Sequence, residues 1–165
     1  MRQLFRATLL SAVAAGAMVG AHAATDTANM TVKITVMAAC SINAAAPTDV
    51  DFGSAISTAT NVSSVGGVLT VNCTNGSAYN IGLDNGLNYN ATTRRMKTVG
   101  SNYVSYGLFQ DVGHTTAWGN TVGTDTRTGS GTGTNQTYTV YGLVPNVGGA
   151  PAGNYTDTVI ATLTY

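Results

Sequence analysis

Ala28-Asn29-Met30-Thr31-Val32-Lys33-Ile34-Thr35-Val36 reads as a β-strand with two unlike faces. Side chains alternate across a strand with period two. Met30, Val32, Ile34 and Val36 therefore share an apolar face, while Asn29, Thr31, Lys33 and Thr35 share a polar one. The alternation runs on toward Cys40. Upstream, Arg2 and Arg6 precede an apolar run from Ala7 to Gly20, and Ala21-His22-Ala23 follows. Charged start, apolar middle and small-x-small end are the order of a secretory signal, with cleavage expected between Ala23 and Ala24. The run is shorter than the about 20 residues that span a bilayer, so no stable membrane insertion is expected. Once cut, the alternating stretch would stand at a free N-terminus. There it could pair with its own domain or be given to another.

Removing residues 1–23 leaves 142 of 165, enough for one domain with a sizeable core. Two arginines leave with the signal, so the mature chain carries 5 basic residues against 7 aspartates and no glutamate. That balance excludes the basic face a nucleic-acid partner requires. Charged residues make up 8% of the chain, far below the usual share of about a quarter, a composition that suits exported β-rich material. Cys40 and Cys73 are an even pair in an exported chain, which argues for one disulfide.

No stretch of the mature chain keeps an apolar 3.6-residue period, whereas strand patterns recur. Met30–Met37, Val68–Cys73, Ala78–Leu83, Tyr103–Phe109, Thr137–Leu143 and Thr156–Tyr165 are the expected strands. In the last, Val159, Ala161, Leu163 and Tyr165 would share a face. Asn75-Gly76 and Asp84-Asn85-Gly86 supply the positive φ angles of tight turns. Pro145-Asn146 and Pro151-Ala152-Gly153 read as further breaks, and Gly119–Gly133 reads as a long surface loop or a hairpin tip. Many short strands with frequent turns predict an antiparallel sandwich.

Catalytic chemistry has little to work with. His114 is the sole histidine of the mature chain, and no ligand spacing for a metal, nucleophile elbow or phosphate-binding glycine loop occurs. Asp49 and Asp51 sit among turn residues. We expect no enzyme, no catalytic residues, no metal and no cofactor. Arg94, Arg95 and Lys97 form a basic cluster, read as a solvated edge that discourages stray strand pairing or, less simply, as a contact for an anionic glycan. Trp118 and the tyrosines read as core and cross-strand pairs, with a sugar-stacking platform as the alternative.

Three stretches resemble a known family. They are Val71-Asn72-Cys73-Thr74-Asn75-Gly76 with Tyr79-Asn80-Ile81; Arg95-Met96, then Tyr103 to Asp111 and Trp118-Gly119; and Val140 to Pro145 with Gly153 to Val159. Together with Cys40 and Asp51-Phe52-Gly53, these resemble the spore coat protein U domain family, the pilin subunits of archaic chaperone–usher pili. The resemblance implies an all-β, incomplete immunoglobulin-like antiparallel β-sandwich, completed by a donor strand from another subunit. It implies a periplasmic pilus chaperone, an outer-membrane usher, and identical or related pilin subunits as partners. It places the donor strand at 24–36, with Met30, Val32, Ile34 and Val36 inserting, and the sandwich domain at 37–165. It also implies that Val159, Leu163 and Tyr165 contact the chaperone, which would anchor a carboxylate at Tyr165. The expected destination is the cell surface or an extracellular coat.

A surface fibre serving adhesion and biofilm formation is thus the leading expectation. A secreted or tip-located lectin-like binding module is one alternative. A protective spore or cell coat protein assembled by the same strand exchange is another.

Overall fold

A computed structural model describes residues 24–42 and 45–165. The expected signal, residues 1–23, lies outside the described residues, including the Ala23 side of the cut. Every regular element described is a β-strand: β1 (Cys40–Ser41), β2 (Thr60–Cys73), β3 (Ala78–Leu83), β4 (Arg94–Lys97), β5 (Tyr103–Phe109), β6 (Arg127–Ser130), β7 (Asn135–Asn146) and β8 (Ala161–Thr164). All pairings are antiparallel. One sheet runs β1-β2-β7-β5-β4 and the other runs β6-β3-β8.

The core follows from alternation. Leu69, Val71 and Cys73 on β2 turn inward, as do Val104, Tyr106 and Leu108 on β5 and Val140 and Val144 on β7. They meet Tyr79, Ile81 and Leu83 from β3. Trp118, expected as core, is 1% exposed, and its indole N–H donates to the Ile81 carbonyl at 2.8 Å. The Tyr79 and Tyr138 rings meet edge-on, with hydroxyls 2.5 Å apart. Cys40 and Cys73 face each other in the β1–β2 register and are joined by a disulfide.

Several expectations need correction. Met30–Met37 carries no strand, because a strand is held by a ladder and this stretch has no partner among the described residues. The domain's own pairing begins where the Thr74 amide donates to the Ala39 carbonyl. β7 continues through Pro145 to Asn146, past the expected break, because Asn146 pairs with Thr60 at its end. Of Thr156–Tyr165, the strand proper is confined to β8. The Gly119–Gly133 stretch holds β6, which has almost no apolar side chain. It pairs through its backbone with β3, and Gly129 leaves room for the Tyr79 ring directly across from it. The Asn75-Gly76 and Asp84-Asn85-Gly86 turns form as expected, with φ of 79° at Gly76 and 75° at Gly86.

The basic cluster is not simply solvated. It forms β4, paired with β5. Arg94 turns into the fold and donates to the carbonyls of Asp84, Leu83 and Trp118 at 2.8, 2.7 and 2.9 Å. Arg95 lies over the Tyr103 ring at 4.1 Å and donates to the Asn88 carbonyl.

Candidate functional site

Two sheets of unequal width cannot close on each other. Strands lie 4.7–4.9 Å apart, so three strands fall about 10 Å short of covering five. The shortfall is at β8. One side of β8 pairs with β3, and the other has no strand partner among the described residues.

Beside this edge opens a cleft of about 1420 Å³. Its deep surface is core: Val62, Leu69, Met96, Val104, Tyr106, Leu108, Val140 and Val144 from the five-stranded sheet, with Leu83 from the other. Its rims are two stretches of chain, residues 47–57 and 149–159. Val50 and Phe52 on the first rim and Val159 on the second are half-buried and pack on the core, as does Ala161 of β8. An apolar slot beside an unpaired edge is unfavourable in water, since it exposes both hydrocarbon and backbone polar groups.

The second rim is held rigidly. The Lys97 and Thr156 amides exchange bonds with each other's carbonyls at 2.8 and 3.0 Å, tying this stretch to β4. Asp84 accepts the Ile160 amide at 2.9 Å through its carboxylate and donates its own amide to the Ile160 carbonyl at 3.0 Å. Asp157 accepts the Asn88 amide, the Asn88 side chain and the Tyr106 hydroxyl. Burial, reinforced by the bond to Asp157, pushes the Tyr106 phenol well above its ordinary pKa. Burial holds the Arg94 guanidinium below its ordinary value, partly offset by Tyr106 and by the carboxylates of Asp84, Asp125 and Asp157.

The expected site residues fall in three places. Cys40 and Cys73 join β1 to β2. Val159 and Leu163 pack on the core around β8, whereas Tyr165 is 64% exposed. Met30, Val32, Ile34 and Val36 are exposed, the least so being Val36 at 74%. Asp157, Tyr106 and Asn88 were missed as a framework for the cleft. The available signal was Asp157, a carboxylate interrupting the apolar alternation of Tyr155, Val159, Ala161 and Leu163. Trp118 offers no sugar platform, because its ring is core. His114 packs its ring on Phe109 at 5.2 Å, and among the described residues no three metal-ligating side chains converge.

Fold and cleft together define an immunoglobulin-like sandwich that lacks a strand along one edge. The chain belongs to the Spore Coat Protein U domain family, whose model matches residues 26–162. It is similar to Protein U of Myxococcus xanthus, with 39% identity over 158 residues that span 88% of each chain. It is also similar in structure to a chain of the CsuC–CsuE chaperone–tip adhesion subunit pre-assembly complex from archaic chaperone–usher Csu pili of Acinetobacter baumannii. That match has a TM-score of 0.55 and 27% identity, covering 79% of this chain and 40% of the length of that one.

Proposed function

We propose that this chain is a structural subunit of a surface fibre built by strand exchange between copies, serving adhesion and biofilm formation. The observation that carries the reading is the unpaired β8 edge beside an apolar cleft. The segment 24–36 of another identical or related subunit is the donor, with Met30, Val32, Ile34 and Val36 entering the cleft. Main-chain bonds to the edge supply affinity, and alternate side chains filling the cleft supply specificity. Burying four such side chains contributes about 1.5–3 kcal/mol each before ordering costs. Residues 1–23 direct export, with cleavage between Ala23 and Ala24. A periplasmic chaperone occupies the cleft first, touching Val159, Leu163 and Tyr165, and an outer-membrane usher then exchanges it for the donor. The likeness to a chain of a chaperone–subunit complex supports this order.

The family's description also favours a second reading, a coat protein assembled by the same exchange. Both readings are tested by co-expressing the chain with a chaperone and usher and running surface material on a denaturing gel without heating. The expected result is a ladder that collapses to one band on heating. A single band from a stable monomer without heating would remove both. Electron microscopy then separates them, since the first expects extended fibres and the second a layer on the cell.

A further inference from the structure

Resting on that reading of the cleft, a second question is what sets the register of the inserted strand. A slip by one residue would turn the apolar face of 24–36 outward, so alternation forbids it. A slip by two residues keeps the same face inward. Val32, Ile34 and Val36 are close enough in size that packing discriminates weakly between such registers.

The cleft rim carries a mark that alternation lacks. Along residues 49–52, Val50 and Phe52 pack inward on the core, and a Cβ at Gly142 of β7 would meet both side chains at 2.7 Å. Asp49 and Asp51 therefore face outward and are exposed. On the opposite rim and along β8 the exposed positions, Thr156, Thr158, Ile160, Thr162 and Thr164 among them, are all neutral, while Asp157 is turned toward Tyr106. Negative charge on the outer side of the cleft thus sits on one rim, at two positions about 7 Å apart along the chain. The inserted segment has one cationic side chain, Lys33. With Met30, Val32, Ile34 and Val36 inward, Lys33 must face outward, on the same side as Asp49 and Asp51. Directly opposed side chains on neighbouring strands lie about 5 Å apart and diagonal ones about 7–8 Å, within reach of a lysine. A two-residue slip displaces Lys33 by about 7 Å along the strand, the spacing of Asp49 and Asp51, so the two carboxylates favour the pair of registers that set Lys33 opposite one of them over all others.

We propose that Lys33 of one copy pairs with Asp49 and Asp51 of the next and so confines the inserted strand to the registers that set Lys33 opposite one of them. The test uses full-length variants in the assembly system. Lys33→Asp, and separately Asp49→Lys with Asp51→Lys, should each lower the yield of heat-sensitive ladder about five- to tenfold at low salt. Combining the reversals should restore it, and about 1 M salt should erase the difference. Asp51 also accepts the Gly53 amide at 2.7 Å. If the doubly reversed rim fails to accumulate, Asp49→Lys alone carries the comparison. Carbodiimide coupling of wild-type fibres should join Lys33 to Asp49 or Asp51; coupling confined to Lys97 would overturn the pairing. An unchanged ladder in the single reversals, or no rescue in the combination, would also overturn it and leave strand exchange standing. Absence of any ladder from the wild type would instead sink strand exchange.

Discussion

The Tyr106 hydroxyl donates a 2.7 Å hydrogen bond to Asp157 Oδ2, joining the middle of β5 to the stretch that leads into β8. This bond crosses from one sheet to the chain that feeds the other, and both residues line the cleft. A hydrogen bond to a charged acceptor contributes about 1.5–3 kcal/mol. Tyr106→Phe should destabilise the mature chain by that amount, read as a lower denaturant midpoint with unchanged slope. It should also loosen the cleft rim, read as faster hydrogen exchange at the Ile160 amide.

Tyr106 and Tyr79 both titrate above their ordinary value of 10.0, chiefly because burial disfavours the phenolate. The folded state thus holds these protons more tightly than the unfolded state. Stability from this source is fully present below pH 10 and is lost as pH rises above it. Unfolding midpoints should be flat from neutral pH to about 9 and fall above 10. Tyr79→Phe should reduce that alkaline loss.

Cys40 and Cys73 lie 33 residues apart and close a loop at the point where the sandwich begins. Replacing both with Ser should cost about 3–4 kcal/mol. Thiol labelling of the denatured, non-reduced wild-type chain should find no free cysteine.

Arg94 donates to three carbonyl groups, on Leu83, Asp84 and Trp118. Arg94→Met should cost about 3–5 kcal/mol, because carbonyls stripped of a donor in a half-buried site keep their desolvation penalty. Arg95→Met, which loses one carbonyl contact and a ring-stacked cation, should cost about 1 kcal/mol. Thermal melts of the two variants compare them directly.

Ile34→Asp would place a carboxylate on the face that enters the cleft. The desolvation cost of an unpaired charge exceeds what one aliphatic side chain contributes. Polymer ladders should vanish while chaperone co-purification persists. Ladders of normal length would move the donor face elsewhere.

Much of the fold was legible in the sequence where apolar residues alternate. Ala78–Leu83 and Tyr103–Phe109 form strands with the expected bounds, and Val68–Cys73 and Thr137–Leu143 lie inside longer ones. Arg127–Ser130 was not legible as a strand, because its place comes from backbone pairing and from a glycine across from Tyr79. Arg94 looked like a surface cation because its three acceptors lie 10, 11 and 24 residues away along the chain, on Asp84, Leu83 and Trp118.

By itself, the sequence determined the two-faced stretch at 28–36, the all-β class and the cysteine pair, since each rests on local period or residue count. Only the tertiary structure decided that β8 is left with a bare edge. That depends on five strands on one side of the core facing three on the other, and the width of a sheet is a sum over pairings no local pattern encodes. It also decided that Asp49 and Asp51 face outward on the cleft rim while Asp157 turns toward Tyr106. The direction of a carboxylate follows from which neighbours the fold brings beside it.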